Sequence, residues 1–183
     1  AGHLGPARLR VQIDIGIGDA VTPDPEWIDY PSLLGFPRPH LRAYQPETVI
    51  AEKLHAMVLL GSKTSRMRDF FDIRALAKSR AFAGDRLARA VGATFKRRGT
   101  PIPDELPVAL TAHFAAAADK RAQWAGFRRR NNLSAAPEDL GFVVHEIAAF
   151  LGPVLDAARC DEQFAMSWPA GGPWREMGQT PDA

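Results

Sequence analysis

Five prolines fall within residues 21–44, at Pro23, Pro25, Pro31, Pro37 and Pro39, and they split the chain into two unlike parts. Each proline fixes φ and removes a backbone donor, so neither a long helix nor a central strand runs through that stretch, which reads as an irregular connection. Before it, Leu9, Val11, Ile13, Ile15 and Ile17 alternate with Arg10, Gln12, Asp14, Gly16 and Gly18. A period of two over ten residues predicts a strand with one buried face. After it the apolar period is helical, with candidates at 46–61, 66–81, 85–98, 104–131 and 137–158. The expected class is α+β: one clear strand and a linker in residues 1–45, then a mainly helical part in 46–183.

The helical candidates carry their own punctuation. Pro46 and Glu47 suit a helix start, Asp85 can cap the third helix, Gly61 and Gly99 can close two others, and Pro137-Glu138-Asp139 opens the last. In that last helix Phe142, Val143, Ile147, Phe150, Leu151 and Val154 fall on one side and predict a core face, with His145 at its edge. The tail around Trp168 and Trp174 reads as irregular, its two indoles folding back over the helical core.

Composition excludes several classes. One cysteine, Cys160, leaves no internal disulfide framework and suits a reducing, cytoplasmic compartment. No apolar run approaches the roughly 20 residues that span a bilayer, and residues 1–10 lack the apolar core of a signal peptide, so no membrane role is expected. The histidines, at 3, 40, 55, 113 and 145, show no close His/Cys spacing, which argues against zinc. There is no Walker loop, and Gly16-x-Gly18 lacks the third glycine and following helix of a dinucleotide fingerprint.

The formal net charge is only +2, yet it is unevenly spread. Residues 1–60 carry five Lys/Arg and seven Asp/Glu, residues 61–130 sixteen and six, and residues 131–183 two and eight. The middle is a cationic block. Within it Lys96, Arg97, Arg98, Lys120, Arg121, Arg128, Arg129 and Arg130 interleave with Phe95, Trp124 and Phe127, a composition suited to a nucleic acid whose bases stack. Helix C-termini also attract cations, and Lys96–Arg98 precede Gly99 while Arg128–Arg130 precede Asn131, so the pattern leaves both readings open.

One lysine and three carboxylates stand where packing does not need them. Lys53, in Glu52-Lys53-Leu54-His55-Ala56, falls inside the stripe Val49, Ile50, Leu54, Met57, Val58 and puts a charge on the core-facing side. Asp69 and Asp72, in Ser65-Arg66-Met67-Arg68-Asp69-Phe70-Phe71-Asp72, share one helix face while Phe70, Ile73 and Ala77 project from another. Each has an ordinary explanation as well: a stripe-edge lysine snorkels to water, and carboxylates gather at solvated helix starts. Asp14 sits mid-strand between two isoleucines, on a face cleared by Gly16 and Gly18, where the alternative is a face open to solvent. Together they make a constellation of the kind that binds a nucleoside triphosphate and its magnesium. A short 61–65 loop would bring Lys53 beside Asp69 and Asp72, with Asp14 opposite. His55 faces elsewhere on the helix, and no shared role is expected of it.

The runs Val11-Gln12-Ile13-Asp14-Ile15-Gly16-Ile17-Gly18-Asp19, Tyr44-x-Pro46-Glu47-Thr48-x-x-Ala51-Glu52-Lys53-x-x-Ala56, Ser65–Ile73 and Thr94-Phe95-x-x-Arg98-Gly99-Thr100-Pro101 resemble the AbiEii/AbiGii nucleotidyltransferase toxin family. That family is built like the DNA polymerase beta palm. The resemblance implies a palm remnant with one clear strand followed by a helical domain, transfer of a nucleotide from an NTP to an acceptor hydroxyl, an RNA acceptor such as tRNA, Mg2+ as cofactor, and a cognate antitoxin. It would make Asp14 the late-strand carboxylate beside the metal, Lys53 a triphosphate ligand and Asp69 the essential acid, with Asp72 and Arg68 supporting the same helix. Two departures accompany it. No glycine-rich turn with an Asp-x-Asp strand lies upstream of Asp14, and Leu60 stands where an arginine often follows the lysine motif. The chain is therefore expected to be the C-terminal portion of a longer protein, or a gene product that has lost its beginning, poorly active or inactive alone, with an unpaired strand edge or an incomplete sheet. The competing expectation is a non-enzymatic helical module that binds nucleic acid or a partner.

Overall fold

Two small hairpins precede the helices in the computed structural model, which describes residues 2–10, 12, 13, 15, 18, 20–32 and 35–177. β1 (Gly2–Leu4) pairs antiparallel with β2 (Ala7–Leu9), and the turn between them uses Gly5 at φ +55. β3 (Glu26–Asp29) pairs antiparallel with β4 (His40–Ala43), placing Trp27 opposite Arg42 and Asp29 opposite His40.

Both differ from the expectation for this half. Among the described members of the alternating run Leu9 ends β2, while Arg10, Gln12, Ile13, Ile15 and Gly18 lie in no strand, and the two isoleucines are 79% and 81% exposed. Alternation sets which side chains would share a face, but a strand also needs a partner ladder for its backbone groups, and neither described strand pairing in this half reaches Ile13 or Ile15. Val11, Asp14, Gly16 and Ile17 lie outside the described residues, and so does the placement expected of Asp14. Residues 21–44 are not wholly irregular either. Their prolines stand outside the paired stretches, with Pro25 and Pro39 just ahead of β3 and β4, positions that a two-stranded hairpin tolerates.

The helical part begins one residue past Tyr44 and Gln45. α1 (Pro46–Leu60) has proline in its first turn, where the missing N–H is no loss, and Gly61 ends it at φ +52. α2 (Met67–Ser79) returns beside it, followed by the short strand β5 (Phe82–Ala83) and α3 (Gly84–Arg97). The segment expected as one helix over 104–131 is broken into a 3-10 turn at Val108–Leu110, α4 (Ala112–Ala116) and α5 (Ala118–Arg130). Thr111 caps the new start by accepting a bond from Phe114 N, and Pro107 precedes the turn. α6 (Leu140–Cys160) opens on Asp139, whose carboxylate accepts from Gly141 N. Asp85 does not cap α3; it lies in the first turn and accepts from Phe164 N at 2.6 Å.

α1 packs on α3, and α6 packs on α2, α3 and α4, so the core forms where Leu54, Phe70, Leu87, Val91, Val143 and Phe150 meet, all fully buried. Phe142 is the exception to the expected α6 face: it is half exposed, with the Arg74 guanidinium 5.9 Å from its ring centre. By length and composition α6 could cross a membrane, contrary to the expectation that no run is long enough, but it is the central helix of this core.

The tail adds two strands that the sequence did not suggest. β6 (Met166–Trp168) pairs with β5 on one side and β7 (Arg175–Glu176) on the other. Trp168 Nε1 donates to Ala77 O at 2.8 Å and Trp174 Nε1 to Phe150 O at 2.9 Å, while both indoles pack on the Phe150 ring.

Candidate functional site

α1 and α2 run beside each other because the connection between them is short and pinned. The Thr64 carbonyl accepts a bond at 3.0 Å from Lys120 Nζ, whose side chain is buried and 3.2 Å from Asp119. Thr64 Oγ1 accepts from Arg66 N at 3.3 Å and so sets the first turn of α2. With the loop held, the polar edge of the α1 stripe meets the polar face of α2.

Lys53 Nζ donates to Asp69 Oδ1 at 2.9 Å and to Asp72 Oδ2 at 2.8 Å. Its side chain is 17% exposed, that of Asp69 4% and that of Asp72 29%. Lys53 therefore does not snorkel to open solvent; it spans two carboxylates at the rim of the core. Burial alone would favour the neutral amine, but the hydrogen bonds and charges of Asp72 and Asp69 outweigh it and hold the pKa above the ordinary lysine value. An ammonium has three donors, and these bonds use two, which leaves one N–H for an incoming oxygen.

Asp69 is saturated from its other side. Arg66 Nε donates to Oδ2 at 2.5 Å and Nη2 reaches Oδ1 at 3.5 Å, which raises the Arg66 pKa. Arg68 stands farther off, its Nε 3.8 Å from Asp72 Oδ2 with the side chain mostly exposed. Arg66 was missed among the candidate residues, although its spacing of three from Asp69 on a helix start is the signal that would have found it.

Near this cluster on α1, His55 is buried and has its own network. Its Nε2 donates to Thr100 Oγ1 at 2.9 Å, its Nδ1 lies 3.4 Å from Arg98 Nη1, and its ring meets Phe95 edge-on. Arg98 Nη2 is also 4.0 Å from Glu52 Oε1. Desolvation, then the neighbouring Arg98 charge, lowers the His55 pKa. The Arg98-Gly99-Thr100 run is thus tied to the lysine helix through a neutral imidazole.

The donor set around Lys53 does not by itself fit a magnesium ion. Among the described residues no group of three or more His, Cys, Asp or Glu side chains converges, and the two carboxylates at hand are already neutralised by Lys53 and Arg66. Asp14 lies outside the described residues.

The six cations expected to touch nucleic acid are not alike. Lys96, Arg97, Arg98, Arg129 and Arg130 are exposed, and they differ in their partners. Arg97 donates to the Gly18 carbonyl, Arg98 belongs to the His55 network, and Arg128 is largely covered, with Nη2 3.5 Å from Glu138. The aromatic residues expected to stack on bases turn inward instead: Phe95 and Trp124 are 1% exposed, Trp124 Nε1 donates to Pro137 O at 3.0 Å, and Phe127 is half-buried against Phe71 and Trp124. Helix periodicity puts these rings in the core, where no base can reach them.

An α+β protein whose paired helices hold one largely covered ammonium between two carboxylates has a fixed polar cluster at the rim of its core, with one N–H that a phosphate oxygen can meet. The model of the family described as "Nucleotidyl transferase AbiEii toxin, Type IV TA system" matches residues 1–150, and the chain belongs to that family of nucleotidyltransferase toxins of type IV toxin–antitoxin systems. Membership implies a cognate antitoxin. No curated protein and no solved structure matches the chain.

Proposed function

We propose that this chain supplies the triphosphate-gripping helices of a transferase that moves a nucleotide from an NTP to a hydroxyl of RNA in the cytoplasm. The observation that carries the reading is the Lys53 ammonium held at 2.9 and 2.8 Å by Asp69 and Asp72. A charge fixed before the substrate arrives needs no reorganisation as negative charge shifts toward the leaving pyrophosphate, and preorganised electrostatics of this kind make a large contribution to such reactions. Lys53 would direct its remaining N–H to a phosphate oxygen. Asp69, buried with both oxygens engaged, acts here as a positioning residue for Lys53 and Arg66 instead of as a free acid. Asp72, more open, faces the same space, and Asp14 is the carboxylate proposed for the acceptor side. Magnesium would neutralise the phosphates when bound; with both described carboxylates paired, its ligands would have to come from elsewhere.

The test uses this chain fused to a segment that carries an Asp-x-Asp strand. Lys53→Ala should reduce transfer from labelled NTP to RNA by roughly a hundredfold or more, the scale of losing one preorganised charge-stabilising group, with helical content unchanged. Full transfer by Lys53→Ala, or no transfer by the fused protein to any RNA, would overturn the reading.

A further inference from the structure

The β3–β4 hairpin carries an aromatic surface that the site above does not use. Successive side chains of a strand point to opposite faces, so the register places Trp27 and Asp29 together with His40 and Arg42 on one side and Ile28 with Leu41 and Ala43 on the other. Ile28, Leu41 and Ala43 are half-buried, whereas the first four are exposed. On that open side the Trp27 and His40 rings stack nearly parallel, with centroids 5.0 Å apart and planes 7° from coplanar, and His40 Nδ1 donates to Asp29 Oδ1 at 2.9 Å. Trp27 is 62% exposed, while Trp124 and Trp168 are buried in the core. Arg42 lies directly across from Trp27, and Arg38 lies two residues before His40, exposed as well. Neither arginine has an ion pair among the described residues.

We infer that this face is a stacking platform for single-stranded RNA, on which a base lies on Trp27 while Arg38 and Arg42 meet the flanking phosphates. A tryptophan held flat by a histidine behind it offers a rigid π-surface at small entropic expense, and every base has a complementary face. The arginines match the polyanion in charge and are themselves good partners for bases. Only Tyr44 and Gln45 separate β4 from α1, and Lys53 lies seven residues into that helix, about 10 Å along its axis. A strand on the platform would start at the N-terminal end of the helix that carries the lysine, so we read the platform as the acceptor's approach, which rests on the transferase reading.

Binding without NTP tests the platform independently of chemistry. A fluorescein-labelled U12 oligoribonucleotide should bind the full chain and quench the exposed tryptophan. Trp27→Ala should weaken binding roughly ten- to a hundredfold, and Trp27→Phe should restore most of it. Arg42→Ala should lower the slope of log affinity against log salt by about one. Helical circular dichroism should be unchanged in all three. Equal affinity of Trp27→Ala and the parent, failure of the Phe rescue in a folded protein, or binding of inorganic polyphosphate as tight as that of U12 would overturn the platform. Loss of transfer in Lys53→Ala with U12 binding intact leaves it standing, so the two readings fail separately.

Discussion

Removing the Asp69 carboxylate would strand two cations at once, since Lys53 and Arg66 both donate to it and it is almost fully buried. Asp69→Ala should therefore lower stability by about 3 kcal/mol, the scale of breaking a buried pair from one side. Asp72→Ala, at a more open carboxylate, should cost about 1 kcal/mol. Urea denaturation of the two variants checks the order, and near-equal midpoints would show that Asp69 is not the anchor. His55 gives a pH dependence. Its folded pKa lies below the unfolded value, so the unfolded chain binds the extra proton first. Stability should be full above about pH 6.5, the unfolded histidine value, and should fall as pH drops below it toward the lowered folded pKa. His55→Gln keeps a donor for Thr100 and should flatten that decline, as read from melting temperatures between pH 5 and 8.

At the scale of elements, the helix starts and stops were legible where one side chain or one turn decides them. Pro46, Gly61 and Asp139 mark ends that stand within a few residues of their expected places, because capping is a local matter. The meeting of Lys53 with Asp69 and Asp72 was legible for a related reason, since a short loop forces two helices side by side. The β pieces were not legible. β5 has two residues and pairs with β6 more than eighty positions away, so nothing local announces it, and the exposed Ile13 shows that alternation without a partner strand predicts little. The close packing of that sheet on α3 supports a sharp prediction. A Cβ at Gly84 would stand 2.5 Å from the Phe164 carbonyl oxygen, a backbone atom that cannot swing aside. Gly84→Ala should thus destabilise by about 1–3 kcal/mol, as overpacking does, although alanine is the better helix former. A melting temperature at or above the parent's would show that the tail yields freely.

For the molecule as a whole, the match to the family ends at residue 150, yet the Phe150 ring is covered by Trp168 and Trp174 from beyond it. Deleting residues 161–183 should expose the α2–α6 surface, increase binding of a hydrophobic dye and lower stability by several kcal/mol, since losing a packed tryptophan alone costs about 3–5 kcal/mol. An unchanged cooperative melt in the shortened chain would make the tail an accessory. The same long-range pairing also sets a schedule during synthesis. Ala83 of β5 leaves the ribosome 84 residues before Ser167, its partner in β6, a delay of roughly 4–17 s at ordinary elongation rates. Throughout that interval the nascent chain presents an unfinished strand edge and a bare aromatic patch, and a chaperone or protease has those seconds in which to decide whether a toxin is ever completed.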